Sequence, residues 1–494
     1  MHSETVSLTP KSTFPKLLLM LFLTCSAGWL TTKLGTPTVP ITSNQVIAVS
    51  TFITIISATL LFWNMRLAVA FIGISVMLAA NVMSLTQMME KAELHIILFL
   101  IGMMTLVGVL KDLGLFTWLI QLILNAKNMS GKRFVITLIL MSGIMASLVD
   151  EVTSIVFVLA LVFQVCDTLK LRPTPFVLIS VIATNIGSTG TMLGNPVGLL
   201  IGTKTGLSFG EFLTHAAPIM LLSLMVTMAV LMFWARKDIA LLDERLAKRR
   251  AGNLGLGPLV RIPYRRGLFI LIAALIFIAL HSFIENRLGL APNTMLIVAP
   301  LTISGILMIY RSKRARHYIE TEVEWWTLIF FLVLFAVAGS LEITGITDVV
   351  ADRFTETFGT NRFILTPLVV GITAIGSAFV DNIVFVAAFI PVVNELIQSH
   401  PELGPLRWAM LFGSCFGGNI TAIGSTANIV ALGMMEKRYG AHIAFLEWLK
   451  IGALVGLITC TLATVIILLF YYADPVAADA MINQLETTIQ MNAH

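Results

Sequence analysis

Apolar segments long enough to cross a bilayer, about 20 residues each, recur from Lys16 to Tyr472 and leave little chain for a water-soluble domain. They fall near 16–32, 44–64, 67–84, 94–110, 213–234, 267–284, 293–310, 325–340 and 446–472, and two longer regions, 133–203 and 362–436, read as broken segments. Lipid offers the backbone no hydrogen bonds, so a spanning chain must pair its N–H and C=O groups within helices or within a closed barrel, and segments of this length are helices. Composition agrees: 57% of the 494 residues are hydrophobic and only 12% are charged, against about a quarter charged in soluble domains. The predicted fold class is an all-α polytopic membrane protein. Cys25, Cys166, Cys415 and Cys460 lie far apart without metal-ligand spacing and are read as packed side chains, not as a disulfide framework. The first apolar stretch follows Lys11 and Lys16 as a secretory signal would, but Ala27-Gly28-Trp29-Leu30 leads to no soluble domain, so an uncleaved span is expected.

Lys and Arg near span ends stay on the cytoplasmic side. The stretch 236–266 carries Arg236, Lys237, Arg245, Lys248, Arg249, Arg250, Arg261, Arg265 and Arg266, and 311–316 carries Arg311, Lys313, Arg314 and Arg316. Both are expected to be cytoplasmic, consistent with the two crossings between them. The net charge of +5 is then expected to reflect topology, the alternative being a nucleic-acid or phosphoinositide site in the 236–266 loop, and no nucleic-acid partner is expected. The bilayer itself is the expected partner, with the N-terminus cytoplasmic, the C-terminus external and a bacterial inner (plasma) membrane as the location.

The chain also repeats itself. Val107-Gly108-Val109-Leu110-Lys111-Asp112-Leu113-Gly114 resembles Ala338-Gly339-Ser340-Leu341-Glu342-Ile343-Thr344-Gly345, 231 residues further on. Ser147-Leu148-Val149-Asp150-Glu151 matches Ala378-Phe379-Val380-Asp381-Asn382 at the same offset, and Thr191-Met192-Leu193-Gly194 matches Thr421-Ala422-Ile423-Gly424 at 230. A fourth pair, Glu211-Phe212-Leu213 and Glu447-Trp448-Leu449, drifts to 236. The expected organisation is an N-terminal tail and extra span (1–34), repeat one (35–234), a basic cytoplasmic linker (235–265), repeat two (266–472) and a C-terminal tail (473–494). Repeat one enters after one extra span and repeat two begins on the cytoplasmic side, so the halves run through the bilayer in opposite senses. The loop charges agree, since 85–93 sets Lys91 against Glu90 and Glu93 where its counterpart is basic. Inverted repeats generate two related conformations, open to either side, which is the logic of alternating access.

Each repeat carries two polar interruptions. Asp150 and Glu151 break the apolar run from Phe134 to Phe163, which reads as a re-entrant hairpin over 133–165 with Thr153 and Ser154 at its tip. Ser377, Asp381 and Asn382 do the same in a hairpin over 362–398. A carboxylate in the membrane interior costs about 2.5–3.5 kcal/mol on insertion scales, so these residues are expected to handle a coupling cation or proton, the alternative being caps on half-helix N-termini. The second interruption is an unwound span in each repeat, over 173–203 and 405–436. Asn185, Ser188, Thr189, Thr191 and Asn195 in the first, and Asn419, Thr421, Ser425, Thr426 and Asn428 in the second, supply the neutral oxygens and donors that suit a small ion. These are the expected substrate-binding residues; Asp150, Asn185, Asp381 and Asn419 are the expected ligands of a possible Na⁺. The alternative for the small residues is close helix packing. Lys111, Asp112 and Glu342 are read as end caps.

Asp381-Asn382-Ile383-Val384-Phe385-Val386-Ala387-Ala388-Phe389-Ile390-Pro391, followed by Gly417-Gly418-Asn419-Ile420-Thr421-Ala422-Ile423-Gly424-Ser425-Thr426-Ala427-Asn428, resembles the signature of the arsenite-permease and P-protein group. That group belongs to the ion transporter superfamily of citrate-transporter-like permeases. Thr184-Asn185-Ile186-Gly187 and Thr191-Met192-Leu193-Gly194-Asn195-Pro196 resemble its first-half motif, and the likeness runs over most of 60–472. The resemblance implies scaffold helices that dimerise, a transport core of two hairpins and two unwound helices moving as an elevator, and coupling to Na⁺ or H⁺ with no other cofactor. The chain departs from the pattern twice. Relatives often show Gly-Asp-Pro-Pro-Asn where this chain has Gly194-Asn195-Pro196-Val197-Gly198, and an Asp-Asn tip where it has Asp150-Glu151, so a carboxylate is lost at 195 and gained at 151.

The expected function is secondary active transport of a small anion, an inorganic oxyanion or organic acid. A Na⁺/H⁺ antiporter and a passive anion channel are the alternatives. An enzyme is not expected: there is no nucleophile-base pair and no His-Glu-x-x-His motif, and Ser130-Gly131-Lys132 lacks the glycine of a phosphate-binding loop. His215 is read as an interfacial anchor.

Overall fold

A computed structural model describes residues 10–35, 40–124, 129–251 and 263–472. The C-terminal tail (473–494) and Arg261 of the linker lie outside the described residues. The described chain is helical and contains no strand. Ten of its helices are long and apolar enough to cross a membrane, or up to twelve if two bent pairs each count as one span.

Most of the expected segments are single helices, such as Leu94–Asp112, Trp325–Ile343 and Phe445–Ile466. Two depart. The stretch 267–284 is a pair, Arg265–Ala279 and His281–Leu288, bent by 52°. Two buried polar side chains sit at and after the bend: His281 Nδ1 meets the Ile278 carbonyl at 2.9 Å, and Glu285 accepts the N–H groups of Asn293 (3.2 Å) and Met295 (2.7 Å). The bend thus brings a carboxylate to the N-terminus of Thr294–Tyr310, where the helix dipole favours it. The basic linker starts as a helix, Arg236–Ala251, and Asp243 Oδ1 in it accepts Gly131 N (2.8 Å) at the entry of the first hairpin.

The chain divides into two compact units interleaved in sequence, described here over their described residues. The first gathers Met1–Ile97, Trp325–Gly359 and Ala387–Leu396. In it, Lys91 Nζ pairs with Glu342 Oε1 at 2.6 Å, and Gly339 lies so close beneath Lys91 that a Cβ there would sit 2.4 Å from the Lys91 Cβ. Arg66 stacks on Trp63 and Phe330, 3.8 and 4.7 Å from their centroids. Ala351, Val392 and Leu396 pack with Val350, Phe354 and Phe389.

The second unit gathers Leu98–Glu324, Thr360–Val386 and Ile397–His494. In it, Lys111 Nζ pairs with Glu322 Oε1 at 3.1 Å over Gly108, whose added Cβ would meet Glu322 Cγ at 2.7 Å. Asp112 accepts from Arg314 (2.6 Å) and from the Tyr318 hydroxyl (2.8 Å). Lys111, Asp112 and Glu342 are therefore ion-paired side chains and do more than cap helix ends.

This unit also holds the polar interruptions. The first hairpin is Gly131–Leu148 followed by Glu151–Leu169, and the second is Arg362–Phe379 followed by Asn382–Ser399, of which Ala387–Leu396 belongs to the first unit. Each leg has the length and apolar composition of a span. The first broken span runs as Thr174–Gly187, a 3₁₀ turn Ser188–Gly190, and Pro196–Thr205; the second runs as Leu406–Gly417 and Thr426–Tyr439. Helix and hairpin cross on glycines. A Cβ at Gly187 would lie 2.2 Å from the Gly143 carbonyl oxygen, and one at Gly417 would lie 2.3 Å from Ala374 Cα. The packing role of small residues and the breaking of the helix therefore coexist at adjacent positions.

Gly187→Ala and Gly417→Ala are each expected to overpack these backbone crossings and cost about 1–3 kcal/mol. Thermal unfolding in detergent should show a fall for both and none for Gly433→Ala, whose added methyl meets nothing within 4 Å.

Candidate functional site

The site is built where four helix N-termini meet freed backbone. Asp150 caps the second leg of the first hairpin, its Oδ1 accepting Thr153 N at 2.7 Å. Glu151 N donates to the Gly194 carbonyl at 2.9 Å, tying the hairpin tip to the loop of the first broken span. The carbonyls just before each tip are taken by threonines of the adjoining loops: the Thr191 hydroxyl donates to Ser147 O, and the Thr421 hydroxyl donates to Ala378 O. Ser147 Oγ returns a bond to Gly187 O (2.5 Å). In the second hairpin, Asp381 Oδ1 and Asn382 Oδ1 both accept Ile383 N, at 3.2 and 2.9 Å, and the Thr426 hydroxyl donates to Asp381 Oδ2 at 2.6 Å.

Between the tips lies a buried amide cluster. Asn185 Nδ2 donates to Asn419 Oδ1 (2.9 Å) and Asn428 Oδ1 (2.8 Å), while its Oδ1 accepts from Ser425 Oγ (3.0 Å). Asn428 Nδ2 satisfies the carbonyls of Gly418 and Thr421 (2.8 and 2.9 Å). Asn195 caps Pro196–Thr205 through Gly198 N (2.7 Å), and its Nδ2 reaches Ser188 Oγ (2.7 Å) and Cys415 Sγ (3.2 Å). Ser425 caps the equivalent helix through Ala427 N (3.1 Å).

Glu151 joins the two repeats. Its buried carboxyl lies beside the hydroxyls of Ser188 and Ser425 and within the field of Asp381 and Asp150, and its Oε2 has no hydrogen-bond partner. The same two hydroxyls also reach Asn185, Ser188 Oγ to Asn185 O and Ser425 Oγ to Asn185 Oδ1, both at 3.0 Å, so each is shared between Glu151 and the amide cluster. Ser154 Oγ, Thr184 Oγ1, Ser377 Oγ and Asn419 Nδ2 are likewise buried without a partner.

All of the residues expected at the site lie in the second unit. The structure brings together Asn185, Ser188, Asn195, Asn419, Ser425 and Asn428, with Glu151 and Asp381 beside them. Thr189 turns back to Ile186 O (2.8 Å) and Thr153 contributes its N–H to the Asp150 cap. Of the four residues expected around Na⁺, Asn185 and Asn419 bond to each other, so an ion taking both side-chain oxygens would have to turn the Asn185 amide. Among the described residues no three His, Cys, Asp or Glu side chains gather to hold a metal.

Sequence reasoning missed three participants. Arg407 is buried, and its Nη1 donates to Thr205 O (3.3 Å), placing positive charge at the C-terminus of Pro196–Thr205 where the dipole favours it. An arginine inside the apolar run 406–417 was the available signal. Cys415 receives the Asn195 amide, and Trp448 Nε1 donates to Asn419 O (3.0 Å). Nothing in their own sequence neighbourhoods marks either. His215 stacks on Trp408, 5.6 Å between centroids, and edges Tyr471 (5.1 Å).

The profile of the citrate transporter family matches residues 52–413 and 344–483. An uncharacterized transporter of Mycobacterium tuberculosis (strain H37Rv) is 33% identical over 385 residues, covering 76% of this chain and 86% of the relative. The P protein of Homo sapiens is 28% identical over 454 residues, covering 76% of this chain and 54% of that protein. The crystal structure of the YdaH transporter of Alcanivorax borkumensis matches in fold with a TM-score of 0.53 at 15% identity, over 91% of this chain and 97% of that one.

Asn185→Ala strands the Oδ1 atoms of Asn419 and Asn428 and the Ser425 hydroxyl in a buried site, at about 1–3 kcal/mol for each group left unsatisfied. The fall in unfolding temperature should be large, and Asn185→Ala with Asn428→Ala should cost clearly less than the sum of the two single changes.

Proposed function

The chain belongs to the citrate transporter family, and from that membership we propose that it is a secondary active transporter that moves a small anion, an inorganic oxyanion or an organic acid, coupled to Na⁺ or H⁺. It is an integral membrane protein whose family and relatives are transporters, not enzymes. The observation that carries the proposal is the surrounding of Glu151. A buried carboxyl beside the Asp381 and Asp150 carboxyls, supported by two hydroxyls and with no basic side chain among the groups acting on it, calls for a positive charge in that space. A proton on Glu151 supplies it, and so does a Na⁺ between the oxygens.

The anion is then met by the unpartnered Nδ2 donor of Asn419 and by the N-termini of Pro196–Thr205 and Thr426–Tyr439, whose dipoles favour negative charge. Because the cation site uses Glu151 from repeat one and Ser425 and Asp381 from repeat two, its occupancy depends on how the two repeats meet. Loading and unloading follow as the repeats exchange shapes, with the hairpins and broken spans moving as an elevator against dimerising scaffold helices. The site of action is the plasma membrane, with the N-terminus cytoplasmic and the C-terminus external.

The closeness of Glu151 to Asp381 favours one second reading, a Na⁺/H⁺ antiporter in which these carboxyls exchange the two cations directly. Proteoliposomes decide: Na⁺-driven proton movement with no transportable anion present would establish the antiporter and end the anion proposal. Asp381→Asn keeps size and removes charge, so it should abolish coupled transport while leaving membrane insertion intact; normal transport by this variant would reduce Asp381 to a helix cap. Counterflow, in which internal substrate accelerates uptake of labelled substrate, is expected of this carrier and is absent from an open channel.

A further inference from the structure

Away from the site, the helices Arg265–Ala279 and Thr294–Tyr310 leave a groove of about 430 Å³ between them. Its floor is Leu113 and Leu307, both buried, and its walls are Phe269, Ile270 and Ile306. Phe269 is 72% exposed and Ile306 is 60% exposed, so this apolar surface faces outward from the protein.

One end of the groove is different. Arg265 and Arg266 are exposed there, beside Tyr310. Arg266 Nη1 donates to the Tyr310 hydroxyl (2.8 Å), and neither arginine forms an ion pair among the described residues. This sets them apart from Arg314 and Arg316 of the other basic stretch, which pair with Asp112 and Glu320. Tyr264 stacks on Trp118 at 4.0 Å just before Arg265, and paired aromatics of this kind mark the level of the lipid headgroups.

We propose that this groove is a binding site for an anionic phospholipid, with one acyl chain lying against Phe269, Ile270 and Ile306 and the phosphate held by Arg265 and Arg266. Two features must coincide for such a ligand and do so here: a hydrocarbon-lined channel facing outward, and uncompensated guanidinium groups at its polar end, where planar donors suit a phosphate. A zwitterionic lipid brings its own cation to the arginines and gains less. A second copy of the chain would need to bring carboxylates to this face, which is an outcome the test separates.

Native mass spectrometry of the full chain in detergent, titrated with phosphatidylglycerol and with phosphatidylcholine of the same acyl chains, tests the assignment. The wild type should retain phosphatidylglycerol in preference, and R265Q/R266Q should weaken it by about fivefold per arginine removed while leaving phosphatidylcholine unchanged. Should the double variant fail to fold, R265Q alone removes a side chain without polar partners among the described residues and should show the single-arginine loss. I306W fills the groove with both arginines intact and should also lose the selective lipid, whereas glycerol phosphate, a headgroup without chains, should not compete. Equal retention of the two lipids, full retention by I306W, or a shift of the monomer–dimer balance in the variants without lipid selectivity would each overturn the proposal.

Discussion

A helix that stops inside a bilayer releases backbone groups that lipid cannot satisfy, and the organisation of the second unit follows from how this chain answers that demand. Each hairpin tip and each broken span has orphaned groups, and each supplies the partners of the other. Thr191 takes the carbonyl of Ser147, Thr421 takes that of Ala378, and Gly194 accepts the N–H of Glu151. The glycines follow from the same need. A Cβ at Gly194 would sit 2.1 Å from Ser188 O and one at Gly424 would sit 2.7 Å from Gly418 O, so the loops could not close with larger residues. The polar composition that suits an ion is thus first of all what allows the backbone to be broken there.

Symmetry sets which contacts exist. The offset that aligns the repeats also relates Lys91 to Glu322 and Lys111 to Glu342, so the ion pair Lys91–Glu342 and the ion pair Lys111–Glu322 are the same contact made twice with the signs exchanged. Beneath each lies a matching glycine, Gly339 and Gly108. Exposed pairs of this kind contribute roughly 0–1 kcal/mol, so their value lies less in stability than in accepting only a partner of opposite charge from the other repeat. Closer to the site, Ser425 reaches Asn185 as Asn195 reaches Cys415, again one contact in two copies with different chemistry. A repeated frame with unlike side chains lets one copy of the contact join a hydroxyl to an amide and the other join an amide to a thiol.

Much of this was legible in the chain because the signals are local. Apolar length gives spans, a lone Asp150-Glu151 or Asp381-Asn382 in an apolar run gives a hairpin tip, and Gly-Asn-Ser-Thr runs give the unwound spans. What was not legible depends on distant partners. Beyond the bend at Leu280, Glu285 reaches Met295, and the linker helix is tied by Asp243 to Gly131, neither of which a window of sequence contains. The amides are the plainest case. Asn185 and Asn419 each look like ion ligands in isolation, yet Nδ2 of one satisfies Oδ1 of the other, and only three-dimensional contact shows that the oxygens are already engaged.

The amide at 195 and the carboxylate at 151 can be understood on the same grounds. At position 195 the side chain must both accept Gly198 N and face Cys415 and Ser188, and the amide does so by donating Nδ2 to the sulfur and to the hydroxyl. An Asp there could cap the helix but would turn a second acceptor towards Ser188, whose hydroxyl also reaches Asn185 O. Carrying the charge on Glu151 instead keeps the cap neutral and sets the carboxyl on the hairpin tip, between Ser188 of its own repeat and Ser425 of the other. The longer side chain therefore sets the ionisable group beside a hydroxyl of each half, whereas the side chain at 195 meets the other half through the Cys415 thiol.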